Sequence, residues 1–465
     1  MDGGGCDCVR RSERQQWIGS DQARITGLGA DEVIMDMAMK TQIRAVLLAA
    51  IIAAIVLISA CRQAETNLHV QTEQSPAIAA SLVPQATRLS SGRLLVSWQR
   101  RLETGGYSFE MAVGNGSQWS DVRTITSGKN LSMFTADLPA VVELPNGNLL
   151  AYWELREATE DDPYATRIQT AISTDEGKTW GPALTPYDES LAGQHSFISS
   201  FSDHDGLGLL WLDAAEQSKL RMAASKEKGH AKSLEMGSIG LRYAALNSRG
   251  EISRESIVDA ITCECCPTSA TITDRGPVVV YRGRQETSGT KPSEVDPSRP
   301  TVRDIHISRL EGDHWTQPRL VHADNWVING CPDNGPAVDA SGSNVVVAWW
   351  TQSNQQPKVQ VAFSDDAGDN FGQPIRVDAG SGEGQVTVVL LPDHRSAIVG
   401  WLEKGMTWAK YVRDTGETSS AVSLGLAPRH SRLPRWIANG DGSVIAVWTR
   451  KDRDLPFVSI SRISF

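Results

Sequence analysis

A short motif that recurs seven times along the chain constrains its fold more than any other feature. Each copy consists of an apolar strand, a turn that usually contains Gly, and a second apolar strand that ends in an aromatic residue. Asn-Gly, Asp-Gly and single-Gly turns between β-branched runs are signals of β-hairpins. The copies span residues 84–98, 139–153, 199–211, 269–281, 336–350, 386–401 and 434–448. The sequence therefore predicts seven similar antiparallel units.

The aromatic residue at the end of each copy explains an unusual composition. The chain has 14 Trp but 8 Phe and 7 Tyr, and six of the seven copies end in Trp, whereas the fourth ends in Tyr281. A second hairpin follows most copies, and repeated units of four antiparallel strands describe the blades of a β-propeller. We therefore predict an all-β fold in which residues 79–465 form one propeller of seven four-stranded blades.

The seventh copy is one strand short of a complete blade. After residues 434–448 the chain offers one further strand, over residues 457–465. A single blade cannot bury both of its faces, so the blades must close into a ring. We expect a segment near residues 66–78 to supply the missing outer strand and to close this ring.

The amino-terminal region has the features of an export signal. Residues 45–60 are uncharged and follow a basic stretch, which is the pattern of a signal-peptide core and is short for a membrane span. Residues 57–61 (LISAC) resemble a bacterial lipobox, which implies lipidation of Cys61. The resemblance implies a protein that is anchored to the bacterial cell envelope through its lipid, in the outer membrane because Arg62 follows the cysteine. The alternative is a short transmembrane anchor.

Domain boundaries follow from these interpretations. A signal peptide begins with a short basic region, so residues 1–38 are predicted to be an upstream segment that is either untranslated or non-structural. The signal peptide then covers residues 39–60, a polar tether covers residues 61–78, and the propeller covers residues 79–465.

Two of the second hairpins carry the same turn motif. Its residues are Ser173, Asp175, Gly177, Thr179 and Trp180 in one turn and Ser364, Asp366, Gly368 and Phe371 in the other. In such a turn the carboxylate accepts backbone N–H groups, Gly supplies a positive φ and the aromatic ring packs beneath, so we expect a structural role. The motif resembles the Asp-box of the sialidase-like BNR β-propeller family. This resemblance favours six blades as the alternative to seven.

The predicted topology places function on one face of the ring. The loop that enters each inner strand and the loop between the second and third strands lie on the same face, around the axial channel, where binding sites are expected. The net charge of −10 argues against a nucleic-acid partner, which needs a basic surface. A site for an anionic ligand must therefore be local.

Four cysteines are predicted on this face. Cys263, Cys265 and Cys266 precede the fourth copy and Cys331 precedes the fifth, so loops of neighbouring blades should bring the four sulfur atoms together. In an oxidising compartment two disulfides are the first interpretation. The alternative is a thiolate site for Cu or Zn, with His195 of the third blade as a nitrogen ligand.

Arginines form a second group on the same face. They are Arg282, Arg284, Arg303 and Arg435. Guanidinium groups bind carboxylates through paired hydrogen bonds, and sialidases bind their substrate carboxylate with three arginines. Sialidases also use a Tyr nucleophile and an Asp acid/base, so the resemblance implies Tyr281 and Asp137 as catalytic candidates. Neither stands in a family motif: Tyr281 also fits the aromatic position of its strand, and Asp137 could cap a turn.

Three hypotheses for function follow. The first is an envelope lipoprotein whose propeller binds an anionic glycan such as a sialoside, or also hydrolyses it as an exo-sialidase does. The second is a metal-binding or redox protein that uses the four cysteines. The third is a non-catalytic scaffold for protein partners, since a fold does not dictate function.

Overall fold

The computed structural model describes residues 39, 42, 66–132, 139–189, 193–203, 206–215, 218, 239–286, 300–428, 431, 435–452 and 455–465. Most of the predicted signal peptide and its cysteine, Cys61, lie outside these ranges. Strands dominate the described residues, and Ser353–Gln355 forms a short 3-10 helix. No helix among them is long and apolar enough to cross a bilayer.

Seven antiparallel sheets follow one another along the chain, as the repeat predicts. The chain begins with β1 (His69–Glu73). Blade 1 contains β2 (Ser81–Arg88), β3 (Leu94–Arg101), β4 (Tyr107–Gly114) and β5 (Arg123–Gly128). Blade 2 contains β6 (Ala140–Glu143), β7 (Leu149–Arg156) and β8 (Thr166–Ser173). Blade 3 contains β9 (His195–Asp203), β10 (Gly206–Asp213), β11 (Gly240–Asn247) and β12 (Ile252–Asp259).

The fourth blade carries an additional small sheet. Its own strands are β13 (Ser269–Thr273), β14 (Gly276–Arg282), β17 (Ile305–Glu311), β18 (His314–Trp315) and β19 (Arg319–Leu320). The small sheet contains β15 (Gln285–Glu286), β16 (Thr301–Val302) and β20 (Val327–Ile328). β15 and β16 extend the loop between β14 and β17, whereas β20 lies in the connection from β19 to blade 5.

Blades 5 to 7 complete the ring. Blade 5 contains β21 (Ala337–Ser341), β22 (Asn344–Thr351), β23 (Lys358–Ser364) and β24 (Ile375–Arg376). Blade 6 contains β25 (Gly382–Leu390), β26 (Ser396–Glu403), β27 (Met406–Arg413) and β28 (Val422–Leu426). Blade 7 contains β29 (Ile437–Ala438), β30 (Val444–Asp452), β31 (Leu455–Ser464) and β1. The protein is thus a seven-bladed β-propeller, and the six-bladed alternative is wrong.

The first strand closes the ring at its last blade. β1 pairs antiparallel with β31, with Val70 opposite Ile463, and Arg462 Nε donates a hydrogen bond to Glu73 Oε1 at 2.9 Å. The prediction that a segment near residues 66–78 supplies the missing strand is therefore confirmed. β1 lies within the range for which the sequence also predicts a tether, so this part of the range belongs to the ring.

The apolar core lies between the blades. Seven clusters of buried side chains occupy the described part of the ring, and each cluster joins two neighbouring blades. One of them, for example, joins Val96 and Trp98 of blade 1 to Val447 and Ile460 of blade 7. Both faces of each blade therefore become buried only when the ring is closed.

The aromatic residue near the end of each second strand, which is Trp349 in blade 5, lies in one of these clusters, and each cluster receives one of these seven residues. Its apolar ring fills the gap between blades, and its polar edge needs a partner when it is buried. Four of the seven reach a carboxylate: Trp98 with Glu110 (3.0 Å), Trp349 with Asp324 (2.7 Å), Trp401 with Glu403 (3.0 Å) and Tyr281 with Asp259 (2.8 Å). Tyr281 thus occupies, in blade 4, the position that a Trp occupies in each of the other blades.

The two Asp-box turns make the contacts expected of a structural motif. Asp175 accepts hydrogen bonds from the backbone N–H and the hydroxyl of Thr179, at 2.9 and 2.7 Å, and these bonds lower its pKa to about 2. Gly177 has a φ of +85° and donates its N–H to Ser173 Oγ. In the second turn Asp366 binds Asn370 in the same way. Trp180 and Phe371 pack against interblade clusters.

Removal of β1 tests how far the ring depends on its closure. We expect a chain that begins at Gln74 to have a lower midpoint of thermal unfolding than a chain that begins at Thr66, because the ladder between β1 and β31 and the ion pair between Glu73 and Arg462 are lost. Circular dichroism follows both transitions. Equal midpoints would contradict a role of β1 in holding the ring together.

Candidate functional site

The axial channel has a volume of about 1090 Å³ and is lined by the inner strands of all seven blades. Hydroxyl side chains such as Ser200 and Thr387 are frequent in its wall. Arg435 of blade 7 reaches across the channel, where its guanidinium donates hydrogen bonds to Asp339 Oδ1 at 3.0 Å and to Thr271 Oγ1 at 3.1 Å. The predicted ligand-binding Arg435 therefore lies in the channel, paired with a carboxylate.

Two neighbouring loops hold the cysteines on the predicted functional face. One loop joins β12 to β13 and contains residues 263–266, and the other lies between β20 and β21 and contains Cys331. The first loop is fixed to blade 4 because the Cys263 N–H donates to the carbonyl of Arg282 at 2.9 Å. The loops touch at Gly335, where a Cβ atom would lie 2.0 Å from the carbonyl oxygen of Pro267. This close approach requires glycine.

The four sulfur atoms meet, as the position of the loops predicts. Cys265 and Cys331 form a disulfide with a Cα–Cα distance of 6.1 Å, whereas Cys263 and Cys266 are free thiols with 3.2 Å between their Sγ atoms. The Sγ atoms of Cys263 and Cys265 are 3.9 Å apart. We call these four residues the cysteine site. It contains one of the two expected disulfides and, beside it, a thiol pair.

Solvent reaches the cysteine site from one side. Cys331 is exposed and Cys265 is half-buried, but Cys263 and Cys266 are each 1% exposed. The disulfide therefore lies between the solvent and the buried thiol pair.

Arg282 lies beside the thiol pair and is itself fully buried. Its Nε and Nη2 atoms donate hydrogen bonds to the carbonyl oxygens of Asn334 and Trp350, at 2.9 and 2.7 Å, and Nη1 donates to the carbonyl of Arg303. Its guanidinium also lies 5.0 Å from the ring centre of Trp326. The three hydrogen bonds tie together two loops and the end of a strand, and none of them goes to a carboxylate.

Two further predicted arginines converge on Glu264, which stands between two of the cysteines. Arg303 donates from Nη1 and Nη2 to the two carboxylate oxygens of Glu264, at 3.0 and 3.3 Å, and Arg284 donates to Oε2 at 3.4 Å. Burial raises the pKa of Glu264, but the two arginines outweigh it and hold this pKa below its usual value. The three arginines of this region thus surround the cysteine site and do not form an open pocket.

The two free thiols differ in acidity. Burial, together with the neighbouring sulfur, raises the pKa of Cys263 well above its usual range. Burial opposes ionisation of Cys266 as well, but the hydrogen bond from Cys263, the charge of Arg282 and the backbone N–H of Asn334 together lower the pKa of Cys266 to about 7. The pair is therefore arranged as a thiol that donates to a thiolate.

Tyr281 and His195 each have partners other than the four cysteines. The Tyr281 hydroxyl donates to Asp259 Oδ2, and burial raises its pKa well above the usual range. His195 is 1% exposed, stacks on Tyr187 at 4.2 Å and has Nδ1 at 3.5 Å from Asp213 Oδ2. The other catalytic candidate, Asp137, lies outside the described residues.

Two residues of the site were not predicted as site residues. Glu264 stands within the cysteine-rich loop, and its position between Cys263 and Cys265 was the available signal. Asn334 carries more contacts: its Oδ1 accepts the N–H of Gln385 at 2.7 Å, and its carbonyl accepts from Arg282. Nothing in the pattern of the sequence distinguishes Asn334 from other loop residues.

Among the known proteins compared with this chain, only solved structures are similar to it. No family model and no curated protein matches the chain. One similar structure is a protein of unknown function from Dyadobacter fermentans, with 12% sequence identity and a TM-score of 0.42 over 86% of this chain and 98% of that one. Another is the NanB sialidase from Streptococcus pneumoniae, with 10% identity and a TM-score of 0.40 over 86% of this chain and 70% of the sialidase. The polysaccharide lyase Uly1 is also similar, with 12% identity and a TM-score of 0.45 over 80% of this chain and 88% of the lyase. At this level the likeness carries no argument about function.

Replacement of Glu264 tests the charge balance of the site. We expect Glu264→Ala to lower the free energy of unfolding by about 3 kcal/mol, because it leaves the buried guanidinium of Arg303 without its carboxylate. Glu251→Ala, which breaks a solvent-exposed pair with Arg249, is the control and should leave the free energy of unfolding nearly unchanged. Urea denaturation measures both changes. Equal losses would contradict the assigned role of Glu264.

Proposed function

We propose that the protein is a thiol–disulfide exchange protein and that the cysteine site is its reactive centre. The observation that carries this proposal is the contact between a free thiol pair and a disulfide. Cys263 Sγ lies 3.2 Å from Cys266 Sγ and 3.9 Å from Cys265 Sγ, which is bonded to Cys331. Exchange needs an attacking sulfur within reach of a disulfide sulfur, and Cys263 has this position.

The internal exchange balances without an outside reactant. The proton of Cys263 passes to Cys266 along their hydrogen bond, and Cys263 Sγ attacks Cys265 Sγ. The Cys265–Cys331 bond breaks, and Cys331 leaves as a thiolate. Cys266 then gives its proton, through solvent, to the Cys331 thiolate. The resulting Cys266 thiolate attacks Cys263 Sγ and releases Cys265 as a thiolate. The product has a Cys263–Cys266 disulfide, and Cys265 and Cys331 hold the one proton and one negative charge that the buried pair held before.

The burial of the four sulfurs suits this order of events. An outside thiol or disulfide can reach Cys331, which is exposed, whereas Cys263 and Cys266 are buried. Electrons would therefore pass between a partner and the buried pair through the Cys265–Cys331 disulfide. Export to the bacterial envelope, with a lipid anchor at Cys61, belongs to this proposal because structural and exchanging disulfides persist in oxidising compartments.

Labelling of Cys331 tests the exchange. The protein is kept without reductant and treated with a maleimide, and peptide mass spectrometry identifies the labelled cysteines. We expect slow labelling of Cys331 in the wild type, because the internal exchange frees its thiol. Cys263→Ser removes the attacking sulfur and should abolish this labelling. Cys266→Ser removes the resolving sulfur and should trap a Cys263–Cys265 disulfide.

Two outcomes would overturn the proposal. One is a wild type in which Cys331 stays unlabelled without reductant although the denatured, reduced protein labels fully. The other is a Cys263→Ser variant that labels Cys331 as fast as the wild type does.

Binding of an anionic glycan in the axial channel is the second candidate function. It is favoured by one observation: the guanidinium of Arg435 is partly exposed inside a channel lined with hydroxyl groups. An anionic group could take the place of Asp339 on this guanidinium, and the hydroxyl groups could bind sugar hydroxyls. The other predicted arginines are buried around the cysteine site, so this candidate rests on Arg435.

A glycan array with sialylated and neutral glycans tests the second candidate. We expect anionic glycans to bind the wild type and to lose about tenfold or more in affinity with Arg435→Gln, because a charge-assisted hydrogen bond contributes about 1.5 kcal/mol or more. Arg249→Gln, which changes an exposed surface arginine, is the matched control. Release of sialic acid from a fluorogenic sialoside would show that the protein also hydrolyses this glycan. Equal binding by both variants would contradict a site at Arg435.

A further inference from the structure

We infer that the free thiol pair of Cys263 and Cys266 is a binding site for one monovalent soft cation, Cu(I). The inference uses the same sulfur atoms as the proposed function and adds a ligand to them. It does not require that exchange takes place, since the disulfide of Cys265 and Cys331 stays intact when the cation binds. The donor atoms, the charge around them and the access to them all favour this cation.

The donor atoms are soft and already close together. The Sγ atoms of Cys263, Cys265 and Cys266 all lie within 4.8 Å of one another. Thiolate sulfur prefers soft cations such as Cu(I) to hard cations with oxygen ligands. Two of these sulfurs are free thiols in one buried loop, so a cation can be held between them without a change in the fold. Binding replaces the one proton that the pair holds, and this proton passes to solvent.

The charge around the thiol pair matches a monovalent cation. The charged side chains that act on the two thiols are Arg282, Arg303 and Glu264. Together they carry one net positive charge, and two thiolates bring the total to one negative charge. A single positive charge from Cu(I) neutralises the region, whereas Zn²⁺ would leave one uncompensated positive charge. Uncompensated charge is costly in a buried site.

Arg282 points independently to an anion at this position. Buried charges in proteins are paired with an opposite charge, yet the hydrogen bonds of Arg282 go to three carbonyl oxygens. Its charge acts on the sulfur of Cys266. A thiolate, or a bis-thiolate complex of Cu(I) with one negative charge, supplies the opposite charge that the guanidinium needs. The three hydrogen bonds of Arg282 hold it in place whether or not the cation is bound.

Access to the pair suits a small ion and excludes larger ligands. Cys263 and Cys266 are each 1% exposed, so a protein thiol cannot reach them directly. A bare ion needs less room than any organic ligand, so it can reach a buried pair from which a protein thiol is excluded. The buried pair is therefore suited to a small ion, whereas the exposed Cys331 is suited to an outside thiol or disulfide.

Titration with Cu(I) against a chromophoric chelator under anaerobic conditions tests the inference. The decisive protein is the double variant Cys265→Ser/Cys331→Ser, in which exchange cannot occur and reductant can be present throughout. We expect one equivalent of Cu(I) to bind to this variant and to the wild type, and Ag(I) to bind with the same stoichiometry. Cys263→Ser and Cys266→Ser should each lose stoichiometric binding. Arg282→Gln should weaken binding about 10- to 100-fold, as expected for a residue that supports the ligands.

Near-UV circular dichroism shows that each variant is folded before its binding is interpreted. Absence of Cu(I) binding to the folded double variant would overturn the inference, and so would tighter binding of Zn²⁺ than of Cu(I), or full binding by Cys263→Ser. The labelling of Cys331 in the metal-free wild type tests exchange alone. Failure of exchange and failure of metal binding are therefore distinguishable.

Discussion

The packing of each blade against both of its neighbours is the constraint on which the rest of this structure depends. A four-stranded sheet has two apolar faces, and here each face forms half of a cluster that the next blade completes. No blade can bury its core alone, so the ring folds as one unit and the outer strand of blade 7 has to come from the other end of the chain. The tryptophans suit this arrangement, because a large ring fills the wedge between blades, and in Trp98, Trp349 and Trp401 the N–H also reaches a carboxylate.

This packing also explains why the reactive groups meet. Loops at equivalent positions of blades 4 and 5 lie side by side because the blades do, and the chain needs glycine at position 335 to let them touch. Arg282 then ties the loops to the end of a strand. These contacts hold the thiol pair next to the disulfide, so the distances between the sulfur atoms are set by the fold.

Sequence reasoning predicted the parts of the structure that repeat. The aromatic at each strand end predicted the blades, a missing strand predicted the closure by β1, and the placement of two loops predicted that four cysteines meet. It could not predict that Cys265 and not its neighbour Cys266 is bonded to Cys331, because that choice depends on side-chain directions within one turn. Arg282, Arg284 and Arg303 were predicted to face a ligand, but Arg282 binds carbonyl groups and the other two bind Glu264. Backbone carbonyl groups leave no pattern in the sequence.

The closure of the ring has a mechanical consequence. The chain enters the propeller through β1, and this strand is held by a ladder of five residue pairs along β31 and by side-chain contacts such as Glu73 with Arg462. Any pull on the chain before residue 66 acts on this ladder first, ahead of the other blades. Detachment of β1 would leave an unpaired edge on β31 while the inner strands remain in place, so the weakest point under tension lies at the rim and away from the cysteine site.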